Sequence, residues 1–211
     1  MTLPVPEVAP VVFGQSALSI EEVVALARGQ RAAVLSTEPA FRTRISRGAA
    51  YLDRLLERDG VIYGVTTGYG DSCTVNIPPA LVDELPHHLF AYHGCGMGRF
   101  LDAEETRAVL AARLASLAYG MSGVSLGLLE GLEALLQHDV LPLIPAEGSE
   151  GASGDLTPLS YVAAVLCGER EVMFQGVRCS AAEALAHIGR TPLRLRPKEG
   201  LAIMNGTAVM T

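Results

Sequence analysis

The sequence predicts a mainly α-helical fold with at most a few short strands, and three observations carry that expectation. Ala, Leu, Val and Gly dominate a chain that is 49% hydrophobic, only 5% aromatic and free of Trp, a balance that suits close helix packing better than a β-sandwich. Apolar residues recur at helical spacing in segment after segment. Between those segments lie two loops rich in Gly and Pro. At 211 residues the chain is long enough for one large domain or two small ones with a well-buried core, and we take residues 1–211 as a single domain.

After a Pro-rich extended lead, Ser19-Ile20-Glu21-Glu22 fits a capping box opening the helix EEVVALARG, in which side chains satisfy backbone donors that the first turn leaves unpaired. A second helix runs from about Pro39 to Arg58, with Ile45, Ala49, Leu52, Leu55 and Leu56 at helical spacing, and ends before Asp59-Gly60. Residues 61–79, VIYGVTTGYGDSCTVNIPP, have no helical period and read as a loop with tight turns. Pro86 reads as a break, with His87 and His88 facing solvent after it. Asp102-Ala103-Glu104-Glu105 caps a helix through about Tyr119. Gly120 to Gly123 interrupt it, and a further apolar helix ends near His138, making a helical hairpin. Residues 140–160 form a second structured loop, because Pro142 and Pro145 oppose a regular helix while Gly148, Gly151 and Gly154 permit unusual backbone angles. A helix from about Pro158 to Leu166, a strand pair near 171–179, a helix over Ala181 to His187 and the stretch KEGLAIMNGTAVMT complete the chain.

Several functional classes are disfavoured. A net charge of -7 with only 16 Lys and Arg argues against a nucleic-acid partner, since phosphate contact needs a basic patch. Cys73, Cys95, Cys167 and Cys179 form no CxxC pair, so we expect reduced thiols and no metal site. The first basic residue is Arg28 and no apolar run could span a bilayer, which leads us to expect a cytoplasmic protein without a membrane partner.

The motif Gly151-Ala152-Ser153-Gly154-Asp155 allows unusual chemistry. A Ser between the smallest residues sits on backbone that can be pinched, bringing the Gly154 nitrogen onto the Ala152 carbonyl. Ring closure and loss of water, the Ser153 hydroxyl included, would give a 4-methylidene-imidazol-5-one, an electrophile that no ordinary side chain provides. Taken alone, the five residues also suit an ordinary Gly-Ser surface loop. They are not a nucleophile elbow, because Asp155 stands where G-x-S-x-G needs Gly, nor a phosphate-binding loop, because no Gly-Lys-Ser/Thr follows.

Three separated stretches, YGVTTGYGDS (63–72), EGSEGASGDLTPLS (147–160) and KEGLAIMNGTAVMT (198–211), together resemble the histidine, phenylalanine and tyrosine ammonia-lyases and the related 2,3-aminomutases. The resemblance runs from about residue 15 onward. It implies the N-terminal part of the ammonia-lyase helical fold, with Gly-rich active-site loops, cut short before the central helical bundle. It implies that Ala152, Ser153 and Gly154 cyclise into the electrophile, so that no external cofactor is needed. It makes Tyr63 the base for the substrate β-proton, a phenol with an ordinary pKa of about 10 that must be acidified to serve. Asn205 would hold the amine or carboxylate end of the substrate, and Tyr92 and His93 would lie near its ring. Asp155 would position the cyclising loop and Gly70 would keep the Tyr63 loop compact. Ala208, where histidine-type enzymes usually have Gln, and Tyr92, where they have a smaller residue, depart from the histidine pattern. The resemblance further implies an aromatic amino acid substrate, a homotetramer in the full-length protein, and a carboxylate-binding arginine supplied by later helices. The alternatives are a 2,3-aminomutase, which returns the ammonia to the β-carbon, and a catalytically inert helical fragment. The lyase reading also expects both Gly-rich loops to converge on one pocket.

Overall fold

The computed structural model describes residues 9–149 and 154–210. Among them the chain opens with β1 (Val11–Phe13), α1 (Ile20–Ala27) and β2 (Ala33–Leu35), and β1 pairs with β2 in parallel register, Val11 opposite Ala33 and Phe13 opposite Leu35. The capping box forms as expected: the Ser19 hydroxyl accepts the Glu22 N–H at 3.2 Å and the Glu22 carboxylate accepts the Ser19 N–H at 3.0 Å. The long helix α2 (Pro39–Asp59) starts with Pro in its first turn, where a missing N–H is harmless, and buries Phe41, Ile45 and Ala49.

The predicted helical hairpin is α4 (Ala103–Ala118) packed on α5 (Leu126–Gln137). Asp102 and Glu105 cap α4 reciprocally, and Arg107 of α4 grips Asp139 just past α5 through two bonds of 2.7 and 3.0 Å. The core lies between this hairpin and α6 (Leu156–Leu166), where Leu110, Leu114, Leu117, Leu128, Leu129, Leu132, Leu135 and Val162 are fully buried. A three-stranded antiparallel sheet flanks it, ordered β4 (Val140–Pro142), β6 (Glu171–Phe174), β7 (Val177–Ser180). The expected strand pair β6–β7 turns through Gln175 and Gly176, both at positive φ, which is the two-residue geometry that matches strand twist. Then come α7 (Ala181–His187) and α8 (Glu199–Met204). The buried Glu199 carboxylate accepts the Ser125 and Arg196 N–H groups, each at 2.8 Å, and so ties the start of α8 to the start of α5.

Three expectations need correction. Pro86 does not break the chain; it lies in the first turn of α3 (Leu85–Tyr92), a position where Pro is tolerated, although His87 and His88 are exposed as expected. The helix expected from Pro158 begins at Leu156, again with Pro in the first turn. The loop over 140–160 contains two strands, β4 and β5 (Pro145–Glu147), the latter antiparallel to β3 (Met97–Phe100); Pro142 is accommodated because β4 is an edge strand. The final stretch holds α8. Among the described residues no helix is long and apolar enough to cross a membrane.

Leu132→Ala should cost about 2–5 kcal/mol, the sum of lost transfer energy and a residual cavity, whereas Ser19→Ala should cost about 1 kcal/mol for one cap. Urea unfolding of the two variants checks both the magnitudes and their order.

Candidate active site

The second Gly-rich loop is fastened to the chain's last described residues by one carboxylate. Asp155 is fully buried at the N-terminus of α6. Its Oδ2 accepts the Val209 N–H at 2.7 Å and the Met210 N–H at 3.3 Å, its Oδ1 accepts the Ser149 hydroxyl at 2.6 Å, and its own N–H donates to the Gly206 carbonyl at 2.8 Å. Gly154, at φ +84°, presses so closely on this turn that a Cβ there would stand 2.1 Å from the Gly206 oxygen. Gly206 in turn has no room for a side chain, because its Cβ would meet Arg113 Nη1 at 1.8 Å. Ala208 packs against the core.

Arg113 arrives from α4 and is almost completely buried. Its Nη2 donates to the Ala202 carbonyl in α8, which places a cation where the end of a helix leaves carbonyls unpaired. Burial pulls its pKa down to about 10, against the opposing pull of the Asp155 charge. Its Nε has no partner among the described residues. The sequence reading did not single out Arg113, although a lone charge inside the apolar run AVLAARLASLA was a signal that it is buried and paired.

The first Gly-rich loop leans on the same helix. Its threonines hold it from within: Ile62 N–H donates to Thr66 Oγ1 at 2.7 Å and Gly64 N–H to Thr67 Oγ1 at 3.2 Å. A Cβ on Gly64 would meet the Leu201 side chain of α8 at 2.6 Å. Tyr63 is half-exposed rather than a core aromatic, and its hydroxyl oxygen accepts the Gly70 N–H at 3.1 Å. The Tyr63 ring meets Tyr69 edge-on at 6.5 Å, and burial pushes the Tyr69 phenol up, with Tyr63 adding to it.

A cavity of about 480 Å³ is lined by Tyr92, His93, Cys95, Gly148, Gly154, Leu156 and Thr157. Helix α3 delivers the first two. His93 Nδ1 lies 2.8 Å from the Leu89 carbonyl; a carbonyl only accepts, so Nδ1 carries the hydrogen and Nε2 of the neutral ring is left as an acceptor. Tyr92 is highly exposed and packs edge-on to His93 at 5.1 Å. Tyr63, Gly70 and Asn205 do not line this cavity. Among the described residues both Gly-rich loops reach the α8 region, the first by Gly64 against Leu201 and the second by the Asp155 N–H to the Gly206 carbonyl just past Asn205, the C-cap of α8. Ala152 and Ser153 lie outside the described residues. No cluster of His, Cys, Asp and Glu suited to a metal ion occurs among the described residues.

A helical frame in which Gly154-Asp155 is bonded to the NGT turn that follows α8, and the YGVTTGYG loop rests on α8 itself, defines a class, and the chain belongs to the aromatic amino acid lyase family, whose sequence profile matches residues 18–211. It is 42% identical to the histidine ammonia-lyase of Deinococcus radiodurans over 193 residues, which is 92% of this chain and 36% of that protein. The crystal structure of tyrosine aminomutase from Streptomyces globisporus superposes with a TM-score of 0.87 at 36% identity, covering 95% of this chain and 37% of that one. Ergothionase from Treponema denticola gives a TM-score of 0.89 at 26% identity, over 95% of this chain and 40% of that one. The chain thus spans well under half the length of the relatives it matches.

Two tests follow from this geometry. Asp155→Ala strands two backbone donors and should cost about 1–3 kcal/mol, with faster amide exchange at Val209 and Met210. Asp155→Asn should recover most of that, because the Ser149 hydroxyl can reverse to accept from the new amide. Among the thiols, Cys95 and Cys73 are exposed while burial pushes Cys167 up to about 12, so maleimide at mildly alkaline pH should label Cys95 and Cys73 and spare Cys167 until the protein is unfolded.

Proposed function

We propose that this chain carries the catalytic loops of a carbon–nitrogen lyase that eliminates ammonia from an aromatic L-amino acid and releases the α,β-unsaturated aryl acid. The observation that carries this reading is the seam at Gly154, where Asp155 and Gly206 bind the GASGD loop to the NGT turn with no room for a larger residue at position 154. That tight approach suits the requirement for a Cβ-free residue at the end of a cyclising Ala152-Ser153-Gly154 segment, and so it supports the methylidene-imidazolone as the group formed there. The electrophile would supply a carbon that draws electron density from the substrate amine, which makes ammonia a better leaving group.

The remaining roles fall to ordinary side chains. Tyr63 removes the β-proton at its phenolic oxygen while the Gly70 N–H holds that oxygen in place. Asn205, at the end of α8, offers both a donor and an acceptor to the amine or carboxylate end of the substrate. Tyr92 and His93 flank the aromatic ring in the cavity beside Gly154. The β-proton and the departing amine leave together as ammonia, and the Cα–Cβ bond becomes the double bond of the product. Because Tyr63 does not line the cavity, its loop must approach the substrate from the α8 side. Assembly as a homotetramer in the cytoplasm belongs to the same proposal, as does the absence of nucleic-acid and membrane partners.

The likeness to a tyrosine aminomutase at 36% identity favours a second reading, in which the ammonia is returned to the β-carbon. Product analysis separates the two: a strongly ultraviolet-absorbing unsaturated acid plus free ammonia marks the lyase, a β-amino acid the mutase.

Intact-mass measurement tests the shared step. Closing and dehydrating Ala152-Ser153-Gly154 removes two waters, about 36 Da, and the deficit should vanish in Ser153→Ala. A purified protein at its full encoded mass would sink the reading for either activity.

A further inference from the structure

Arg170 occupies a place that an arginine has no intrinsic reason to occupy. It is the residue before β6, and its backbone sits at φ +66°, in the left-handed region that side chains other than Asn and Asp seldom adopt. Such strain persists where the surroundings over-determine it. Here its carbonyl accepts the Ala181 N–H at 2.8 Å, and its guanidinium is held on three sides. Nη2 donates to the Phe90 carbonyl at 2.9 Å, Nη1 donates to the Ser160 hydroxyl at 3.3 Å, and the group stacks on the Tyr161 ring at 4.1 Å.

Those partners belong to the two elements that wall the cavity. Phe90 lies in the last turn of α3, and its carbonyl is free because the Gly94 N–H, which would reach it in a continuing helix, bonds to Ala91 instead. Ser160 and Tyr161 lie on α6, and the Ser160 hydroxyl donates to the carbonyl of Thr157, which lines the cavity. Gly94 clears the path: a Cβ there would stand 1.7 Å from Arg170 Nη2. The end of α3 thus has no side chain of its own where the guanidinium passes.

We propose that Arg170 is a positioning residue that fixes the Tyr92–His93 wall of the cavity against α6. The proposal rests on the cavity being the substrate site argued above. The cation ends α3 at a defined carbonyl and thereby sets where Tyr92 and His93 emerge, without touching the substrate itself. Its fork geometry is needed, since one planar group must serve a carbonyl, a hydroxyl and a ring face together.

The test uses Arg170→Gly and Arg170→Lys in the intact protein. Gly takes φ +66° without strain, so Arg170→Gly should keep the melting temperature within about 3 °C while hydrogen exchange in residues 91–96 speeds up about tenfold or more relative to α5. In turnover of the aromatic amino acid, KM should rise about tenfold while kcat changes less than about threefold. Arg170→Lys, which keeps the charge and one donor, should restore part of the protection and part of the KM. Unchanged exchange in 91–96, or a rise matched across the whole molecule, overturns the proposal. If Arg170→Gly fails to fold, Arg170→Lys alone decides: exchange in 91–96 equal to that of the unsubstituted protein overturns it. Faster exchange with an unchanged KM leaves Arg170 as the anchor of the wall and removes the cavity from substrate binding.

Discussion

The Asp155 carboxylate holds the candidate site together, because it joins Ser149 and the start of α6 to backbone 54 and 55 positions further along the chain. It receives two backbone N–H groups from residues 209 and 210 and a hydroxyl from residue 149, while its own amide is given to Gly206. A buried carboxylate is costly unless its lone pairs are satisfied, and here the backbone does most of the satisfying. Arg113, also buried, closes α8 at Ala202 and passes so close to Gly206 that a Cβ there would meet it. The two charges face one turn from two sides. Replacing either by an apolar residue would leave the polar groups it serves, two backbone N–H groups and a hydroxyl for Asp155 and the Ala202 carbonyl for Arg113, without that partner.

What could be read from the sequence follows the range of the interactions involved. Capping boxes at Ser19 and Asp102 depend on residues three apart, and both formed where the spacing placed them. Helices α2, α4 and α5 were legible for the same reason, since a 3.6-residue period is local. The parallel pair β1–β2 was not, because three-residue strands carry too short a pattern and their pairing is set by the α1 crossover between them. Proline misled twice, at Pro86 and Pro158, where its effect depends on whether it falls in the first turn of a helix or later.

The candidate site divides along the same line. The Tyr63–Gly70 bond lies within one loop, seven positions apart, and so is within the range of a local reading. The cavity beside Gly154 did not follow from the motifs alone, since it takes one wall from α3, a helix that the sequence reading missed behind Pro86. Arg113 and Arg170 were overlooked because their partners are 89 and 80 positions away, and no local spacing rule reaches that far. The family resemblance supplied candidate roles; the close approach of the Gly206 carbonyl, Arg113 and Arg170 is what leaves no room for a Cβ at Gly154, Gly206 and Gly94.

The loop that carries Tyr63 satisfies most of its hydrogen-bonding groups internally. Gly68 N–H donates to Val75, Ile77 N–H to Thr66, Ser72 N–H to Tyr69 and Gly70 N–H to Tyr63, and the two threonine hydroxyls serve Ile62 and Gly64. Its approach to α8 at Gly64 and Leu201 is apolar and non-directional. The loop is therefore a self-sealed unit resting on a greasy bearing. A displacement that keeps these bonds would carry Tyr63 with its whole loop, so in the proposed reaction the position of Tyr63 depends on the fit of Gly64 against Leu201 and not on the rotamer of a single side chain.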